Sequence, residues 1–231
     1  EGIDFSVVRR DLAVGGQVLS LQGLRGTYDD LFLPLHGAHQ AQNAALALAA
    51  VEAFLGADSR RPLDPDVLRD GFATVTSPGR LERVGSAPTI MLDAAHNPHG
   101  MAATVQALRE EFDFARLIAV LGVLGDKDLR GMLELLKPVA DLVICTRNSS
   151  SRSTPAEQVA EAAAVVFGSE RVVTRPQIAD AIQAAIAFAE AGDEGELGRA
   201  GILVTGSVFT VADARALLTT TAPRCPSRAA P

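Results

Sequence analysis

The chain has 231 residues, 48% of them hydrophobic and 4% aromatic, with a net charge of −7. That length holds one large domain or two modest ones, and the negative balance argues against a general nucleic-acid binder. It contains no apolar run of about 18 residues, so no membrane-spanning helix or membrane partner is expected, and two cysteines, Cys145 and Cys225, make no disulfide framework, so the cytoplasm is the expected compartment.

In chain order, the first 35 residues read as β-rich. Residues 3–9 alternate, residues 17–22 follow a Gly15-Gly16 turn, and residues 31–35 form a short apolar run stopped by Pro34. Three short strands bury little alone, so they are expected to belong to a larger sheet. The clearest helix spans residues 37–56. It is dense in alanine, with Leu46, Ala50 and Phe54, or Leu48, Val51 and Leu55, on overlapping apolar faces, and with Gly56 to end it. A second helix over 64–72 starts with Asp64 as cap and Pro65 in first position. Residues 76–79 are turn-rich and mark a domain boundary.

Beyond that boundary the pattern alternates. Strands are predicted at 89–92, 117–121, 142–146, 172–174 and 202–205, and helices at 101–112, 129–136, 155–167, 177–191 and 208–218. Continuous apolar strands with helices between them predict a Rossmann-like, mainly parallel sheet covered on both faces. Residues 219–231 read as a disordered tail.

The chemistry concentrates where the first of these strands ends. Asp93, His96 and Asn97 stand between a buried strand and a helix that opens with Pro98. Open α/β sheets place ligands at this edge, and a helix N-terminus favours anions. Two further polar residues interrupt apolar or turn-like context. Asn43 lies among alanines, where an amide meets a flat ligand edge or else serves as an ordinary exposed or capping residue. Arg80 lies at the domain boundary, where a guanidinium reaches a phosphate or ring, or else pairs with Glu82. The loops at 122–128, 146–155 and 206–207 follow later strands on the same sheet edge. Lys127, Arg147 and Arg152 would line that rim with positive charge suited to carboxylate or phosphate, though each loop taken separately also reads as plain polar surface. The pairs His36/His39 and His96/His99 admit zinc by spacing, but neither has a cysteine or a third ligand beside it. Gly-x-Ser-x-Gly, Gly-x-Gly-x-x-Gly and Gly-x-x-x-x-Gly-Lys-Ser/Thr patterns do not occur in the 231 residues.

Three motifs in this order, Gln42-Asn-Ala-Ala45, Pro78-Gly-Arg-Leu-Glu82 and Leu92-Asp-Ala-Ala-His-Asn-Pro98, resemble the folylpolyglutamate synthases of the Mur ligase superfamily. Gly125-Asp-Lys-Asp128 and Thr205-Gly-Ser-Val-Phe-Thr-Val-Ala-Asp213 fit the same pattern, and the resemblance covers residues 3–218. It implies that residues 1–75 are the last portion of an ATP-binding central domain, 76–81 a hinge, and 82–218 a glutamate-ligase domain. It implies a reaction in which ATP phosphorylates the terminal carboxylate of a folate and the amine of L-glutamate then displaces the phosphate. Many bacterial relatives also join glutamate to dihydropteroate, so a dihydrofolate synthase reaction is implied beside it. Asn43, Arg80 and Asp93 are then expected to contact ATP, with His96 as the catalytic residue near its phosphates. The family's P-loop and magnesium ligands have no counterpart in these residues. The expectation is therefore one piece of a longer enzyme, inactive alone, whose partner is the rest of its own protein. Two other readings stay open: a non-catalytic α/β module holding an anionic small molecule, and another Mur-type amide ligase.

Overall fold

A computed structural model describes residues 2–56, 62–191 and 199–220. The chain forms two compact units, one of residues 1–81 with 103–113, the other of 82–102 with 114–231. Of the tail expected over 219–231, residues 219 and 220 instead complete the last helix, and the part from residue 221 onward lies outside the described residues. Among the described residues no helix is long and apolar enough to cross a membrane.

The first unit is built on an antiparallel sheet of β1 (Ser6–Ala13), β2 (Gly16–Gln22) and β3 (Thr27–Leu33), in that order. Gly15 turns the first hairpin at φ 79°, and Gly16 must be glycine because a Cβ there would lie 2.2 Å from the Leu33 carbonyl oxygen. β3 begins four residues earlier than its apolar run suggests, because Tyr28 is buried while its polar neighbours face out. Helix α1 (Ala38–Phe54) lays Ala41, Ala44, Ala45 and Leu48 on Leu19, Leu21, Leu31 and Leu33. Small side chains let the helix axis approach the sheet closely. Gly56 follows α1 in the left-handed conformation, φ 62°. In α2 (Pro65–Ala73) the Asp64 side chain accepts from the Asp66 N–H and Pro65 opens the helix, as the sequence predicts.

The second unit contains a six-stranded sheet of order β4-β5-β9-β6-β7-β8. Its strands are β4 (Glu82–Ser86), β5 (Thr89–Leu92), β6 (Arg116–Leu121), β7 (Leu142–Cys145), β8 (Val172–Thr174) and β9 (Ala200–Thr205). All neighbours run parallel except β4, which pairs antiparallel with β5. Helix α3 (Pro98–Glu111) begins in this unit and runs into the first from residue 103 on, and the other helices are α4 (Leu129–Leu136), α5 (Ala156–Phe167), α6 (Ile178–Glu190) and α7 (Val208–Thr220). The continuous apolar runs are explained by two-sided burial. Ile90, Leu92, Ile118, Val120, Ile202 and Val204 pack with Ala181, Ile182 and Ala185 of α6 and Val211 and Ala214 of α7. The alternate set, Met91, Ala119, Leu121, Val143 and Leu203, is buried too and faces the opposite side.

Connections diverge at the centre of this sheet. From β6 the chain moves outward through α4 to β7 and then β8, whereas after β9 helix α7 packs back against β9, β5 and β4. The crevice at the carboxyl ends of β9 and β6 is therefore the topological switch point, where open α/β sheets bind ligands.

Candidate functional site

The ladder of β5 and β9 continues one residue past β5, because the Asp93 N–H donates to the Val204 carbonyl at 3.0 Å. Asp93 then turns the chain. Its Oδ1 accepts from the Ala95 N–H at 3.0 Å, a local bond typical of aspartate at turns. Asp93 is only 4% exposed, so this carboxylate is held by the fold. The Ala95 carbonyl in turn accepts from the Gly206 N–H at 3.1 Å, which ties the loop after β5 to the loop after β9. His96 Nδ1 lies 3.0 Å from the Ala94 carbonyl. A carbonyl only accepts, so Nδ1 carries the proton and Nε2 is left for a ligand. Asn97 caps α3, accepting from the Gly100 N–H at 2.8 Å, and Pro98 takes the first helical position. The helix therefore starts three residues before the apolar periodicity does.

A second cluster lies between the loops after β6 and β7. Gly125 N–H donates to the Arg152 carbonyl at 3.0 Å and Thr154 N–H to the Val123 carbonyl at 2.9 Å, and Leu124 bridges Ser153 antiparallel. Between these loops is a cavity of about 300 Å³ whose lining includes Lys127, Ser151, Arg152, Ser153, Thr154 and Gln158. Lys127 Nζ pairs with Asp126 Oδ2 at 3.0 Å, and that hydrogen bond holds the Asp126 carboxyl below its usual range. Asp128 caps α4, accepting from the Gly131 N–H at 2.9 Å. Of the three cations expected on the rim, Lys127 and Arg152 line the cavity and Arg147 does not; the Arg147 backbone instead donates to the Pro176 carbonyl.

Asn43 and Arg80 belong to the other unit. Asn43 lies on the exposed face of α1, its Nδ2 3.1 Å from Gln40 Oε1. Arg80 closes a turn in which its N–H donates to the Ser77 carbonyl at 3.1 Å. Pro78 and then Gly79, at φ 72°, are the residues a type II turn asks for, and the Arg80 side chain is exposed. Glu82, the partner weighed for it, carries a forked bond from Arg215 at 2.9 and 3.1 Å. So Asp93 and His96 share one loop, while Asn43 and Arg80 sit on separate elements of the first unit. His36, half of one candidate zinc pair, bonds Glu111 through Nδ1 at 2.8 Å.

Sequence reasoning passed over Asn148 and Thr210. Both are buried, and they are bonded to each other at 3.0 Å. The available signal was position: Asn148 stands just past β7, as Asp93 stands just past β5.

The family profile described as Mur ligase, glutamate ligase domain, matches residues 79–208. A dihydrofolate synthase/folylpolyglutamate synthase of Mycobacterium tuberculosis is 54% identical over 225 residues, covering 94% of this chain and 46% of that protein. The solved M. tuberculosis folylpolyglutamate synthase complexed with ADP is similar at a TM-score of 0.89 and 55% identity, over 94% of this chain and 48% of that one. E. coli FolC in complex with DHPP and ADP is similar at a TM-score of 0.74 and 29% identity, over 95% and 47%. The chain thus spans about half the length of these relatives.

Proposed function

Since the chain belongs to the Mur ligase family, whose glutamate ligase domain it carries, we propose that it is the carboxyl-terminal part of an ATP-dependent ligase joining L-glutamate to the terminal carboxylate of a folate. The observation that carries this reading is the cavity between the loops after β6 and β7. It offers Lys127, Arg152 and several hydroxyls to a small acid, in a chain whose relatives are named for folate and glutamate ligation. Two cations converging on one cavity suit a carboxylate, and glutamate is the substrate with carboxylates to spare for binding.

ATP phosphorylates the folate carboxylate, the glutamate amine displaces phosphate from the acyl phosphate, and an amide forms as ADP and phosphate leave. Asn43, whose amide both donates and accepts, is assigned to the adenine edge. Arg80 is assigned to the phosphates and Asp93, an acceptor only, to the ribose hydroxyls. His96 is the proposed catalytic residue, with Nε2 directed to the reacting phosphates. Magnesium, implied by the same reading, would be held by ligands in the remainder of the longer protein. Residues 1–75 serve as the end of the ATP-binding domain, 76–81 as a hinge and 82–218 as the glutamate-ligase domain. An acyl phosphate must be kept from water, and hinge closure does this. The remainder of a longer protein is the expected partner. A dihydrofolate synthase reaction, for which the M. tuberculosis relative is also named, would take dihydropteroate as acceptor at the same site, and the buried free thiol of Cys145 suits the reducing cytoplasm.

The test is ADP release by the full-length protein. It is expected only when folate and glutamate are both supplied, and Arg80→Ala is expected to raise the KM for ATP about tenfold or more. ADP release with a UDP-muramoyl substrate and not with folate rejects the reading. Unchanged ATP kinetics in the variant removes Arg80 from the site.

A further inference from the structure

Buried hydrogen bonds join the three loops that leave β6, β7 and β9. Thr210, in the first turn of α7, donates from Oγ1 to the Gly122 carbonyl at 2.7 Å. Having spent its proton there, Oγ1 can only accept from Asn148 Nδ2, 3.0 Å away. Asn148 Oδ1 accepts from the Ser150 N–H at 3.1 Å, which fixes the orientation of the amide independently. The Asn148 N–H completes the set by donating to Ser153 Oγ at 3.0 Å. Thr210 is fully buried and Asn148 is 3% exposed. The fit leaves no slack, because a Cβ on Gly122 would lie 2.8 Å from Thr210 Oγ1. Further along the loop, the Ser149 N–H and hydroxyl both bond the Asp213 carboxylate of α7, at 2.7 and 2.9 Å.

We infer that Asn148 and Thr210 are positioning residues for amino-acid binding: they hold the loop that carries Arg152 against the loop that carries Lys127, so that both cations meet one acid. This inference rests on reading the cavity as the glutamate pocket. Neither residue is among those lining the cavity, so each acts through the loop it holds. Removing the Thr210 hydroxyl leaves the Asn148 amide buried without its acceptor, at a cost that favours loop rearrangement. ATP contacts elsewhere are untouched, so the loss falls on glutamate.

The experiment uses the full-length enzyme and measures KM for glutamate, KM for ATP and kcat. Thr210→Val, which keeps the shape and removes the hydroxyl, is expected to raise the glutamate KM about tenfold with the other two within about twofold. Thr210→Ser restores the hydroxyl and is expected to stay within about twofold of wild type. If Thr210→Val does not fold, Asp213→Ala decides. It releases the same loop from the half-exposed end of the tether and is expected to raise the glutamate KM about threefold or more. A glutamate KM unchanged in the folded variants, or one raised together with the ATP KM, overturns the inference while leaving the ligase reading in place. A wild-type enzyme that does not consume glutamate overturns both.

Discussion

Gly206 stands just after the central strand with φ 103°, and its N–H holds the loop that carries Asp93 and His96. A Cβ there would lie 2.6 Å from the Gly122 carbonyl oxygen and 2.8 Å from Leu121 Cδ1. Gly206→Ala therefore imposes a strained backbone and a backbone clash at once. It is expected to cost about 2–3 kcal/mol in urea denaturation and to perturb the loops on both sides of the switch point. A cost under about 0.5 kcal/mol would show that the backbone there yields freely. At this scale much was legible. Pro78-Gly79 announced its turn, and Asp64 and Pro65 announced their helix, because each of these devices is completed within four residues. The Asn148–Thr210 bond spans 62 residues, and no local pattern encodes a contact of that range.

Among the elements, the end of α3 is latched to the first unit's sheet by one carboxylate. Glu111 accepts from the Gly37 N–H at 2.6 Å, from His36 Nδ1 at 2.8 Å and from the Arg10 guanidinium. Burial alone would raise its pKa, but the hydrogen bonds from His36 and Gly37 and the Arg10 charge outweigh it and hold the carboxyl below its ordinary value of about 4.5. A depressed folded-state pKa means stability that is present above the unfolded value and lost as pH falls through the folded one. Unfolding free energy is thus expected to decline from about pH 4.5 downward. Glu111→Gln is expected to lose about 2 kcal/mol at neutral pH and to flatten that part of the decline. An equally steep acid limb in the variant would assign it to other carboxylates. Element boundaries were legible where capping or two-sided burial set them. β4 was missed because Glu82-Arg-Val-Gly-Ser86 is a partly exposed edge strand with little apolar signal. For α1 periodicity offered two overlapping apolar faces. Packing buried neither as drawn: it took a face of Ala41, Ala44, Ala45, Leu48 and Ala49 and left Leu46, Ala50, Val51, Phe54 and Leu55 exposed, a choice set by how closely a helix can approach the sheet.

For the whole molecule, the alternation of apolar strands and helices gave away the parallel sheet, and the family motifs gave away the ligase relationship. Neither revealed that the insertion of β9 between β5 and β6 puts Gly206 beside the Asp93 loop, or that two loops about 25 residues apart in sequence line one open cavity. The central claim is that this chain works in a ligase that activates a folate carboxylate by phosphorylation. The most direct test follows oxygen. Folate labelled with 18O in its terminal carboxylate is incubated with ATP, magnesium, glutamate and the full-length protein, and the released phosphate is weighed by mass spectrometry. The account predicts one 18O in each phosphate released, because the carboxylate oxygen that attacks ATP leaves with the phosphate when the amine displaces it. Phosphate free of label, released while the amide forms, would contradict it.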